Sequence, residues 1–210
     1  MKKSKIIVLI LSLLLTLILP ACDSPGGEKN AKPVIYLYPA SEQTVSVKLD
    51  YKGKLTCSYP EYKDGWTVEV KPDGSLINLS DNKEYSYLFW EGISKNKWDM
   101  TKGFVVKGSD TEKFLQEKLA YLGLTTKEYN EFIVYWLPIL QENKYNLISF
   151  AGEDYENIAK LDITPKPDSM LRVMMLYKPL DNPVKVEEQK LRPFSRKGFT
   201  VVEWGGTKVN

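Results

Sequence analysis

Trp66-Thr67-Val68-Glu69-Val70-Lys71-Pro72-Asp73-Gly74-Ser75-Leu76-Ile77-Asn78-Leu79 reads as a β-hairpin, and it sets the class of the chain. Trp66 to Val70 alternates apolar and polar side chains, the period of a strand with one buried face. Pro72-Asp73-Gly74 supplies a fixed φ, a side chain able to bond its own backbone, and a residue tolerant of positive φ. Leu76 to Leu79 is the return strand.

The same reading extends outward in both directions. Val34 to Tyr38, Thr44 to Leu49 and Leu55 to Tyr59 are strands before the hairpin, the first closed by Pro39. Tyr85 to Trp90 is apolar on both faces, which predicts a central, buried strand. Ala159 to Ile163, Leu171 to Tyr177 and Phe199 to Glu203 are strands after it, the first two separated by a turn at Pro165-Lys166-Pro167-Asp168.

Helical signals occur only in the middle. Ser109 and Glu112 have capping-box spacing, Leu115, Leu119 and Leu122 follow at helical intervals, and Gly123 is a stop. Thr125 and Glu128 form a second box. Tyr129, Phe132, Ile133, Trp136, Leu137 and Leu140 also fit a helical stripe. Yet Phe132 to Trp136 is all β-branched or aromatic and Pro138 follows, so the expectation is a helix to about Glu131, then a strand through Leu137 pairing with Asn146 to Phe150. The predicted class is therefore β-rich α+β, an antiparallel sandwich or barrel-like sheet with a small helical insertion near 109–131.

The N-terminus carries a different kind of signal. Lys2, Lys3 and Lys5 precede Ile6 to Leu19, apolar except for Ser12 and Thr16. That run falls short of the roughly 20 residues a spanning helix needs and matches the apolar core of a secretory leader. Leu19-Pro20-Ala21-Cys22 resembles the lipobox of bacterial lipoproteins, with Pro20 an unusual occupant of its position. The resemblance implies cleavage before Cys22, a diacylglycerol on its thiol and an acyl chain such as palmitate on the new amine. Two chains anchor stably where one is marginal. The expected organisation is a leader over 1–21, a lipidated tether over 22–32 and one globular domain over 33–210, held to the extracytoplasmic face of the cell membrane.

Composition removes several chemistries. The chain has 29 basic and 27 acidic residues. Three of the lysines lie in the leader, so the remainder is close to neutral, which argues against nucleic acid as a partner. No histidine is present. Ser-His-Asp and Cys-His catalysis and histidine-ligated zinc are therefore excluded, and no metal or cofactor is expected. With Cys22 lipidated, Cys57 has no partner for a disulfide; its strand-like surroundings predict a small buried residue.

Lys32-Pro33-Val34-Ile35-Tyr36-Leu37-Tyr38-Pro39 resembles the opening of an uncharacterised family of exported bacterial proteins. Glu131 to Pro138 and Val202-Glu203-Trp204-Gly205-Gly206 are similar to that group as well. The resemblance implies a single domain and supplies no site residues.

Five tryptophans and thirteen tyrosines all follow the leader. Most aromatic side chains in such a domain pack in the core, but exposed rings would stack on sugars. Trp90, Trp98 and Trp204 are the candidates for that role. Trp90-Glu91-Gly92 and Glu203-Trp204-Gly205-Gly206 each place an acid beside an indole at a predicted strand end, so Glu91 and Glu203 are candidates for a catalytic carboxylate pair. A retaining glycosidase would need them ~5–5.5 Å apart and an inverting one ~6.5–9.5 Å. Three functions stay open at this level. The preferred one is a non-catalytic module binding an envelope component, a cell-wall glycan or a partner protein. The others are a carboxylate-dependent hydrolase and a structural protein of envelope assembly.

Overall fold

The computed structural model describes residues 28–210. The leader, Cys22 and most of the tether lie outside the described residues. Two open sheets and a helical layer stack on one another, so the class is the β-rich α+β one, without a closed barrel.

The larger sheet is built on β1 (Glu28–Tyr38), β7 (Leu88–Ser94), β9 (Tyr145–Ala151), β11 (Ser169–Leu180) and β13 (Thr200–Lys208). β3 (Lys54–Tyr59) closes one edge; β8 (Lys102–Lys107) and the two-residue β12 (Glu187–Glu188) close the other. Its order is β12-β8-β9-β11-β13-β1-β7-β3, antiparallel except where β11 meets β13 and β12 meets β8. The smaller sheet, β10-β2-β4-β5-β6, comprises β2 (Gln43–Tyr51), β4 (Trp66–Val70), β5 (Leu76–Asn78), β6 (Lys83–Tyr85) and β10 (Ala159–Thr164). Helices α1 (Thr111–Leu122) and α2 (Thr126–Leu140) cover the far face of the larger sheet, and a short α3 (Glu153–Ile158) joins β9 to β10.

Period-2 alternation in the central strands feeds two cores. On β1, Ile35 and Leu37 face the smaller sheet, while Val34 and Tyr36 face the helices. On β11, Met174 and Leu176 point one way, and Val173, Met175 and Tyr177 the other. Trp66 and Trp90 fill the inter-sheet core; Trp136 and Trp204 fill the core under the helices. The hairpin forms as expected, with Gly74 at φ 88° and the Asp73 carboxylate accepting from the backbone and hydroxyl of Ser75.

Several expectations are corrected. Helix α2 continues through Phe132–Leu137 to Leu140, with Pro138 inside it, and β9 pairs with β8 and β11 instead. The helical stripe wins because Phe132, Ile133, Trp136 and Leu140 all bury against the sheet. The carbonyl that Pro138 leaves without a donor belongs to Val134, whose side chain is 76% exposed, so water can satisfy it. Of the two capping boxes, Thr125 and Glu128 form theirs in full. Ser109 does not: a 3-10 turn displaces the start of α1, and the Thr111 hydroxyl bonds back to the Lys107 carbonyl.

Tyr85 to Trp90 is not one central strand. β6 ends at Tyr85 in the smaller sheet and β7 begins at Leu88 in the larger, one place from its edge. β13 runs on through Gly205 and Gly206, so Glu203 and Trp204 do not lie at a strand end. A Cβ on Gly206 would stand 2.6 Å from the Trp136 ring, and its absence lets α2 settle on the sheet. Cys57 is exposed, because β3 is an edge strand. The first strand starts at Glu28, five residues ahead of Pro33, with Asn30 opposite both Thr207 and Gly92.

Candidate functional site

Pro33 shapes the site. Within a strand flanked on both sides it has no N–H to give the ladder, and β1 responds with a bulge. Register shifts between Ala31 and Val34 on the β13 side and between Asn30 and Val34 on the β7 side. Lys32 absorbs the extra length at φ 52°, a left-handed conformation that non-glycine residues rarely adopt and that a following proline further disfavours. Its N–H, turned out of the ladder, donates to Glu91 Oε1 at 3.3 Å. Such strain gathers at functional sites.

Beside that bulge the helical layer stops short of the sheet's β7–β3 edge. Phe89 and Glu91 alternate with Trp90 on β7, so they lie on the helix side. Tyr59 is opposite Phe89 in the β3 register and Cys57 is opposite Glu91. Tyr135 reaches over from α2. Together Lys32, Tyr59, Tyr87, Phe89, Glu91 and Tyr135 line a cleft of about 330 Å³, within the size range of small-molecule sites. The Lys32 ammonium stands 5.0 Å from the centre of the Tyr135 ring and 5.7 Å from that of Trp204. Larger hollows, of about 700 and 850 Å³, follow the strap of residues 181–199 past α1. Their walls carry more lysine and glutamate stems than rings.

Behind the cleft, polar groups hold the aromatic wall still. Tyr87 packs edge-on against Tyr36, ring centres 5.4 Å apart. The Tyr36 hydroxyl donates to Glu131 Oε2 at 2.5 Å. Burial, then the Glu131 carboxylate, raises the Tyr36 pKa far above the usual phenol value, and the same two causes raise that of Tyr87. Deeper still, Glu128 is fully buried and paired with Arg196 from the strap; Arg196 also donates to the Gly123 carbonyl and lies over the Tyr38 ring.

The residues singled out from sequence fall elsewhere. Trp90 and Trp204 are fully buried and Trp98 is 8% exposed, so none of the three is a stacking platform. Trp90 instead donates from Nε1 to Glu203 Oε1 at 3.1 Å. Glu203 is sealed between the two sheets, where Arg172 Nε donates to its Oε2 at 2.7 Å and Tyr155 stacks on the guanidinium at 4.5 Å. Glu91 faces the opposite side of the larger sheet. The two carboxylates do not meet around a common space, so they are not a catalytic pair. Of the residues named from sequence, Glu91 alone lines the cleft. Tyr59, Tyr87, Phe89 and Tyr135 are absent from the sequence candidates, which rest on indoles beside acids.

Among curated proteins, the chain is 36% identical over 97 residues to an uncharacterized protein in the bglA 3′ region of Butyrivibrio fibrisolvens. The alignment takes in 99% of that protein and 44% of this chain. The chain belongs to that protein's family. No family model matches the sequence and no solved structure matches the fold. The relative is uncharacterized, so the site rests on this chain's own geometry. Among the described residues no helix is long and apolar enough to cross a membrane.

Proposed function

We propose that this chain is a non-catalytic binding module, held outside the cell membrane by lipid on Cys22, and that its aromatic cleft takes a glycan. The observation that carries the reading is the open ledge where Tyr59, Tyr87, Phe89 and Tyr135 gather around Lys32 and Glu91. Sugar rings offer apolar C–H faces and a rim of hydroxyls. Aromatic walls match the first; a lysine donor and a carboxylate acceptor match the second. Tyr59 is 61% exposed at the rim, placed to stack without any rearrangement of the fold. A module fixed by two acyl chains at a cell surface meets glycans continually.

Two measurements test the proposal. Titration calorimetry against cell-wall and plant-type oligosaccharides should find a binder, with Tyr135→Ala and Phe89→Ala each weakening it about ten-fold or more, as loss of one stacked ring does. A protein that binds nothing in such a panel, or whose variants bind like the parent, does not have this function. For the anchor, mass spectrometry of the exported chain should show a diacylglyceryl-modified Cys22 as its first residue, and Cys22→Ala should release the protein from membranes.

A further inference from the structure

Resting on the glycan reading of the cleft, we infer that its ligand is an acidic sugar bearing a carboxylate, and that Lys32 is the residue that selects it. The two charged groups of the cleft are not equivalent. Glu91 already accepts the Lys32 backbone N–H. The Lys32 ammonium, by contrast, forms no ion pair with a described carboxylate; its neighbours are the faces of Tyr135 and Trp204.

A cation held against two π faces is attracted to them but keeps its three N–H donors largely unspent. A ligand carboxylate would turn those donors into charge-assisted hydrogen bonds. The backbone argument points the same way. Lys32 occupies a left-handed conformation ahead of proline that non-glycine residues rarely adopt, and the bulge fixes where its side chain emerges between β1, β7 and α2. A flexible surface lysine would spend rotamer entropy on reaching a ligand; this one starts from a fixed root in the cleft wall. The ring of the sugar then lies on Tyr135 and Phe89, its carboxylate meets Lys32 Nζ, and Glu91 accepts from a hydroxyl. No covalent step is involved.

The test uses the full chain in a neutral detergent, titrated with tetrameric galacturonate and mixed guluronate–mannuronate, each alongside its carboxyl-reduced, uncharged counterpart. A charge-assisted bond exceeds a neutral one by about 1 kcal/mol, so the acidic member of a pair should bind about five- to ten-fold more tightly. Lys32→Met should erase that difference by weakening the acidic member more than the neutral one, and Lys32→Arg should retain it. Rising salt should narrow the gap in the parent protein, a readout that survives if Lys32→Met fails to fold. Equal binding of acidic and neutral members, with Tyr135→Ala weakening both, overturns the inference and leaves the glycan reading standing. No binding of any member overturns both.

Discussion

Arg172 and Glu203 are partners in the parallel register of β11 and β13, and their side chains meet at 2.7 Å between the two sheets, 3% and 0% exposed. The pair is not isolated: Trp90 Nε1 completes one side of the carboxylate, and the Tyr155 ring covers the guanidinium. Removing either partner strands a charge in the core, so Arg172→Met or Glu203→Leu alone should lower stability by about 3–5 kcal/mol, whereas the double replacement should recover most of that loss. Guanidinium denaturation of the two singles and the double measures it. A single-variant loss below about 1 kcal/mol would mean that water reaches the site, contrary to its burial.

How far the sequence carried this structure depends on the kind of signal. Period-2 alternation and turn chemistry located the strands. The Thr125–Glu128 box started α2 correctly, because both rest on contacts within a few residues. What misled was tertiary. Phe132 to Trp136 has strand propensity, but its 3.6-residue stripe found the β13 and β11 faces to bury against, and packing outweighs propensity. The strand was expected to end at Glu203 because nothing local announces that Trp136 will lie on Gly206. For the site, one signal was present: Phe89, Trp90 and Glu91 are consecutive on a strand, so Trp90 and Glu91 had to face opposite ways. Pro33 read as the edge of the strand because Glu28 to Lys32 carries no apolar alternation, so its bulge was not legible. Tyr59, Tyr87 and Tyr135 come from β3, the link between β6 and β7, and α2, and only the fold brings them together.

The close approach at Gly206 gives a second prediction. Gly206→Ala inserts a methyl 2.6 Å from the Trp136 ring. α2 must lift or the indole must turn, which should destabilise the protein by about 1–3 kcal/mol. Because Trp136 also contacts Tyr135, ring centres 4.9 Å apart, glycan binding should weaken in the same variant. Near-ultraviolet circular dichroism of the indoles and a ligand titration read both effects.

The strap of residues 181–199 is tied down at Arg196, whose guanidinium spans Glu128 and the Gly123 carbonyl. Glu128 is fully buried while Arg196 is 27% exposed, so solvent shares part of the interaction. Arg196→Ala should therefore cost about 2–3 kcal/mol, less than the full penalty for breaking a sealed pair. Hydrogen exchange should quicken through residues 189–199 and at the end of α1 before it does in β11 or β13. Uniform acceleration across the molecule would mean that the strap is no separate unit.

Alkaline titration should separate the tyrosines. Hydrogen bonding to Asp81, with burial second, pushes Tyr85 up to about 12, and burial foremost holds Tyr36, Tyr38 and Tyr155 higher still. A phenol whose pKa is higher in the folded chain than its ordinary 10.0 stabilises the fold fully below pH 10. That contribution declines as pH rises toward the folded value. Stability should thus fall from pH 10 upward, and the phenolate absorbance of these four rings should appear together with unfolding. A smooth titration of all thirteen tyrosines near pH 10 with native circular dichroism intact would contradict the packing around Tyr36 and Tyr155.

Cys57 offers a direct report on the cleft. It sits opposite Glu91 on edge strand β3 and is exposed, so a maleimide should modify it in the folded protein without denaturant. In a chain lipidated at Cys22 it is the sole remaining thiol. An environment-sensitive fluorophore placed there lies on the same sheet face as Phe89 and Tyr59, with β7 between it and Lys32. A glycan entering the cleft displaces water around the dye, so emission should shift with a titration midpoint equal to that from calorimetry on the unlabelled protein. A dye at Val184, exposed beside β8 at the other edge of the larger sheet, should stay silent in Cys57→Ser,Val184→Cys. If both dyes respond alike, binding acts on the whole domain, and the ledge beside Lys32 is not where the sugar sits.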